Sequence, residues 1–231
     1  MSSPRIERKL AAIMFTDIAG YTALMSKDED KAFALIQKKR DLLLPLVEKH
    51  EGKLIKEIGD GTLTRYFKAD NAIGCAITFQ SKTDTDLNVR AGIHTGEVIV
   101  DKEDVFGDVV NVASRLESIA VPGSVLVSKE TIDKLEMSDK VELVSLGMQS
   151  LKGIGRLIEV YAIKDENLVV PNPEDYTENK IEVHSDDEVP SIAIIPFENK
   201  GADEDVFYAY GISVDLISDV TSAGLIRVAS K

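Results

Sequence analysis

An α+β fold of the ferredoxin-like βαββαβ type, with additions, is what this sequence predicts, and three observations predict it. Strand-like and helix-like segments alternate over residues 8–163. Their order, strand-helix-strand-strand-helix-strand, is that of the motif. The two middle strands flank Gly59-Asp60-Gly61, a tight hairpin signal. One face of the sheet is expected to carry the helices.

Each element follows from its own pattern. Residues 10–15, Leu-Ala-Ala-Ile-Met-Phe, form a continuous apolar run and read as a buried strand. Ser26 and Glu29 have capping-box spacing. The long helix after them carries Phe33, Ile36, Leu43 and Val47 on one stripe, with a kink expected at Pro45 and a stop near Gly52. Residues 53–58 and 62–67 make the hairpin, and 71–80 a second helix around Cys75. Two strands, 89–94 and 98–100, are expected around Thr95-Gly96. A helix over 108–119, a strand over 124–127, a short helix near Thr131 and strands over 141–144 and 157–162 complete the region.

Beyond it the pattern changes. Residues 165–188 hold seven acidic side chains between Glu174 and Glu188, against the single Lys180, and read as a solvated, extended linker. Order is expected to resume with a strand from Ile192 to Phe197 and a helix over 207–225. About forty residues cannot build an independent core, so the chain is read as stopping inside a second domain. The expected division is 1–164, 165–189 and 190–231.

The net charge of −13 argues against nucleic acid and anionic membrane as partners. A polyphosphate ligand would need its positive charge gathered locally. No segment approaches the roughly 20 apolar residues of a membrane-spanning helix. The lone Cys75 permits no internal disulfide and fits a reducing, cytoplasmic setting. Its apolar neighbours mark it as a core residue.

Two carboxylates stand out. Asp17 lies just past the first strand and Asp60 at the hairpin tip. If those strands are neighbours, both reach one rim, and two carboxylates plus phosphate oxygens suit Mg²⁺. Asp60 between glycines is equally ordinary turn chemistry, and Asp17 equally a cap. The small residues of Ile18-Ala19-Gly20-Tyr21-Thr22 would let backbone N–H groups approach phosphate. Asn111 and Arg115, four apart, share a helix face opposite Val112, Leu116 and Ile119. Arg suits developing phosphoryl charge and Asn could position a ribose, although a solvated face with Arg115 in an ion pair is the plainer reading.

Together these stretches resemble the class III adenylate/guanylate cyclase catalytic domain. The matching segments are Phe15-Thr16-Asp17-Ile18 with Gly20-Tyr21-Thr22, Lys56-Glu57-Ile58-Gly59-Asp60-Gly61, Arg90-Ala91-Gly92-Ile93-His94-Thr95-Gly96, the run from Phe106 to Leu116, and Leu151-Lys152-Gly153. The resemblance implies roles. Asp17 and Asp60, with Ile18 beside them, would hold two Mg²⁺ or Mn²⁺ ions. Lys56 and Asp104 would select the base. Asn111 and Arg115 would stabilise the transition state, and Arg90 and Lys152 would contact phosphate. It also implies a site shared between two catalytic domains, and a chain carrying every part suggests a homodimer.

Lys offers only donors and ionised Asp only acceptors, which matches the N1 acceptor and N6 donor of adenine. ATP is therefore the expected substrate and cyclic AMP the product. A guanylate cyclase with a turned base, and a non-catalytic nucleotide-binding regulatory module, are the alternatives. His94 is read as structural. The stretch from Pro190 through Ile212 resembles the start of a TolB-like domain, which often follows this type of cyclase in bacteria.

Overall fold

The computed structural model describes residues 7–101, 104–136, 141–177, 191–193 and 227–229. The chain divides into two units, Met1–Asn179 and Lys180–Lys231.

In the first unit, β1 (Glu7–Ile18), β2 (Lys53–Ile58), β3 (Gly61–Tyr66) and β4 (Val89–Asp101) form the order β2-β3-β1-β4, the ferredoxin-like core. The sheet continues through β6 (Val125–Ser128), β8 (Leu157–Lys164) and β7 (Glu142–Ser150), and β5 (Asp104–Phe106) pairs with the far end of β4. Strand β6 runs parallel to β4; the other pairings of this sheet are antiparallel.

Alternation along β1 explains the layers. Ala12 and Met14 face a core shared with α2 (Glu29–Lys49) and α3 (Ala69–Gln80). Ala11 and Ile13 face the opposite way, against Val109 and Ala113 of α4 (Asp108–Ile119). Helices therefore cover both faces, not one. The reason is visible in two glycines. A Cβ on Gly92 would lie 2.2 Å from Glu117 N, and one on Gly96 2.7 Å from a Val109 methyl, so both glycines let α4 settle directly on β4.

Gly96 accounts for a second difference. Thr95-Gly96 does not interrupt the chain into two strands; β4 runs unbroken through it. Helix α2 runs through Pro45 to Lys49, and its N-cap is Asp28, which accepts from Lys31 N at 2.9 Å, rather than Ser26. Its C-terminus closes with Gly52 N donating to Val47 O, while Glu51 takes the left-handed conformation at φ 55°. Gly52 is required there because a Cβ would meet the Tyr66 ring at 2.3 Å. Short helices α1 (Tyr21–Met25) and α5 (Lys129–Ile132) complete this part of the unit.

Residues 165–177, expected as solvated linker, pack on this unit. Leu168 and Tyr176 are buried, and the Tyr176 hydroxyl donates to Ile119 O at 2.7 Å, capping α4. Val169 N donates to Gly123 O, and Gln149 Nε2 donates to Tyr176 O within a short helix α6 (Glu174–Thr177). Acidic composition marked the segment as exposed; three anchoring residues decide otherwise.

In the second unit β9 (Ser191–Ala193) pairs in parallel with β10 (Arg227–Ala229). The remainder of the expected strand to Phe197 and the expected helix over 207–225 lie outside the described residues.

Candidate active site

Strand register builds the site. Asp17 is directly opposite Arg90 in the β1–β4 ladder, and directly opposed residues share a face. That face is the one α4 covers, and Gly92, two residues along, brings the α4 backbone down onto it. Arg90 Nη2 donates to Asp17 Oδ2 at 2.6 Å and lies 3.1 Å from Oε1 of Glu117. The β2–β3 hairpin delivers the second aspartate. Ile58 pairs with Gly61 across Gly59-Asp60, and Gly59 takes φ 61° at the first turn position, where a side chain would be strained. Asp60 Oδ2 then accepts from Ile18 N at 3.0 Å, which docks the hairpin tip on the end of β1.

Asp17 and Asp60 line one cavity of about 290 Å³, together with Phe15, Ile58, Gly61, Ser114 and Glu117. Its electrostatics are those of crowded acids. Burial, then the adjacent Asp17 carboxylate, push Asp60 up to about 6. Burial, reinforced by Asp17 and partly offset by Arg90, pushes Glu117 up to about 7. Burial works to raise Asp17 as well, but Asp60 and Arg90 outweigh it and hold that group below the usual carboxylate range. Lys39, buried beneath the rim, is brought down to about 8 by desolvation against the pull of the surrounding acids.

These residues fit a divalent cation. Asp17 Oδ1 is buried with no hydrogen-bond partner among the described residues. A crowded set in which Asp17 helps to raise both Asp60 and Glu117 accommodates added positive charge. No group of three or more His, Cys, Asp or Glu forms a metal cage among the described residues. Two carboxylates completed by substrate oxygens are the donor set that remains, and it suits Mg²⁺ or Mn²⁺.

The other expected residues lie elsewhere. Lys56 Nζ donates to both carboxylate oxygens of Asp104, at 3.1 and 3.2 Å. In strand register Lys56 aligns through Leu63 and Phe15 with Gly92, whereas Asp104 pairs with Asp101. The contact therefore shows the β4–β5 hairpin folding back across the sheet. Asn111 is exposed on α4, and Arg115 Nε donates to Lys152 O at 2.9 Å. The Val105 N–H, then Lys56, hold Asp104 below its ordinary value.

Two amides expected near phosphate are already engaged: Ile18 N with Asp60, and Ala19 N with Asn88 O at 2.8 Å. Gly20, at φ 76°, turns the chain into α1, leaving Tyr21 and Thr22 on its first turn. His94 is buried, its Nδ1 2.6 Å from Ser128 Oγ, and burial lowers it to about 4; it belongs to the core. Cys75 is buried and pushed up to about 11, an inert thiol.

A family model described as the adenylate and guanylate cyclase catalytic domain matches residues 6–165. The chain belongs to this family. Among known proteins, the cyclase domain and its tail align with "Putative adenylate cyclase 3" of Rhizobium meliloti, at 32% identity over 99% of this chain and 40% of that protein. The chain spans less than half the length of such relatives. A solved adenylate/guanylate cyclase/hydrolase from Silicibacter pomeroyi shares 33% identity, with TM-score 0.59, over 69% of this chain and 99% of that one. The adenylyl cyclase CyaB from P. aeruginosa, at 24% identity, shares the fold with TM-score 0.64, over 72% of this chain and 100% of that one. Among the described residues no helix of the cyclase domain is long and apolar enough to cross a membrane.

Lys39 and Glu117 are the site residues that sequence reading passed over. Both carry a faint signal, a charged side chain set in an otherwise apolar helical stripe: Ala32, Leu35, Lys39, Leu43 in α2, and Ala113, Leu116, Glu117, Ala120 at α4.

Proposed function

We propose that this cyclase domain converts ATP into 3′,5′-cyclic AMP and pyrophosphate in a homodimer, each site using two Mg²⁺ or Mn²⁺ ions and residues of both chains. The observation that carries the reading is how α4 is turned. Ser114 and Glu117 line the aspartate cavity. At about 100° per residue, Arg115 points roughly 100° away from Ser114 and 160° away from Glu117. Arg115 therefore does not face the carboxylates of its own chain. A second copy presenting its α4 to that cavity would supply what is missing.

Asp17 and Asp60 would hold the ions, with Ile18 closing the rim beside them. When bound, the ions would acidify the ribose 3′-hydroxyl and neutralise phosphate charge. Arg90, next to Asp17, would take a phosphate oxygen. Lys152 and the Gly20-Tyr21-Thr22 turn would add further phosphate contacts. Lys56 would donate to adenine N1 and Asp104 accept from N6, and the two are already side by side. Asn111 would orient the ribose while Arg115 meets the charge that grows on phosphorus. The 3′-oxygen forms the new bond to the α-phosphorus, the bond to the β-phosphate oxygen breaks, pyrophosphate leaves and the hydroxyl proton passes to solvent.

A cytoplasmic setting is part of the proposal, supported by the nucleotide substrate and the lone, buried Cys75. The segment beyond residue 190 is read as the start of a TolB-like domain. Incubation with ATP or GTP and Mg²⁺ or Mn²⁺, with cyclic product as readout, tests the assignment. Cyclic AMP is expected in excess; cyclic GMP in excess would overturn the base choice, and neither product would overturn the enzyme.

A further inference from the structure

We infer that Lys39 is a positioning residue, whose ammonium ties the end of β1 to the tip of the β2–β3 hairpin and so sets the spacing of Asp17 and Asp60. The inference rests on the reading of those aspartates as metal ligands. Lys39 is 2% exposed, which is rare for a lysine and requires partners. Its partners are two backbone carbonyls: Nζ donates to Thr16 O at 2.8 Å and to Asp60 O at 2.5 Å. Thr16 immediately precedes Asp17, and Asp60 is itself the second aspartate. One side chain thus holds the backbone at both proposed ligands.

The geometry is directional. Lys39 rises from α2, which covers the Ala12 and Met14 face of β1. Arg90 and Glu117 approach from the α4 face. The aspartate backbone is therefore gripped from one side and the aspartate side chains are engaged from the other. Another tie between the hairpin tip and β1 is the Ile18 N–H to Asp60 Oδ2 bond. That bond occupies one oxygen of the proposed ligand itself, so it cannot set the carboxylate's position independently. Both of these Lys39 hydrogen bonds go to backbone oxygens, so its donors do not occupy the carboxylate oxygens of Asp17 and Asp60. Residues that orient ligands without touching the metal commonly control affinity about 10- to 100-fold.

The test compares Lys39→Met, which keeps length and removes the donors, with Lys39→Arg, which restores them. Titration of Mn²⁺ with a non-cyclisable ATP analogue is expected to show binding weakened at least about tenfold in Lys39→Met and recovered in large part in Lys39→Arg. Hydrogen exchange is expected to quicken at Ile18 and over residues 58–62 while β6 and β8 stay protected. A folded Lys39→Met protein with native metal affinity and an equally protected hairpin would overturn the inference. If Lys39→Met does not fold, the wild-type chain still decides: ¹⁵N spectra should show a slowly exchanging Lys39 ammonium coupled to the Thr16 and Asp60 carbonyls, and a freely exchanging one would refute the tie. Because exchange needs no metal, a wild-type protein that binds no Mn²⁺-nucleotide would defeat the metal reading and leave the tie standing.

Discussion

The two halves of the site are built in opposite ways. Around Asp17 and Asp60 the chain supplies its own surroundings: side chains at Asp17, Arg90 and Glu117 are 24%, 26% and 9% exposed, with Lys39 fully enclosed beneath them. Lys56 and Asp104, at 40% and 39%, have chiefly each other, and Asn111 stands on an exposed helix face. A metal-holding group must be fixed before its cation arrives, since misplacement of even an ångström is costly. A base-reading group gains its remaining contacts from nucleotide and partner chain. On the proposed reading, the difference means that one subunit would complete the metal half alone and leave the recognition half open.

Substitutions can break that contrast, beginning with the largest effect. Asp17→Ala or Asp60→Ala is expected to lower cyclic AMP formation about a thousandfold or more while circular dichroism stays native. Retained turnover in both would remove the metal half altogether. Lys56→Glu presents an acceptor where a donor stood, so the ATP-to-GTP ratio of kcat/KM should move toward GTP by about 10- to 100-fold, with little change in metal requirement. An unchanged ratio would place base reading elsewhere.

Glu117→Gln sharpens the metal half through stability. The folded Glu117 carboxyl binds its proton more tightly than the ordinary value of 4.5, being pushed up to about 7. Its contribution is therefore favourable below pH 4.5 and is lost as pH rises toward 7. Without metal at pH 8, Glu117→Gln should melt higher, by on the order of 1 kcal/mol or about 2–4 °C, and the gain should vanish near pH 4. A variant less stable at pH 8 would show the Arg90 contact to outweigh desolvation. The smallest effect belongs to Tyr176→Phe, which leaves the Ile119 carbonyl uncapped and should cost about 1 kcal/mol in denaturant unfolding without altering base preference.

Much of this was legible in the residues. The apolar run of β1 and the Gly-Asp-Gly tip point to the core topology and, once those strands are neighbours, to Asp17 and Asp60 on one rim, because register and turn geometry are local consequences of pattern. What escaped was set by close packing. Lys39 reads as a solvated helix residue until α2 is laid on the sheet. Glu117 becomes a site residue only because Gly92 admits α4 so closely. Thr95-Gly96 reads as a break for the same reason: its glycine makes room for Val109 of α4 and not for a turn. Tyr176 sits in an acidic stretch whose average composition conceals a buried anchor.

The measurement that tests the shared site most directly is a mixing experiment. Asp17→Ala and Arg115→Ala proteins, each inactive alone, are combined and assayed for cyclic AMP at rising total concentration. A site made from two chains predicts that activity returns, approaching about one intact site per mixed dimer and following dimer formation. Two folded, dimeric variants that stay as inactive together as apart would contradict it.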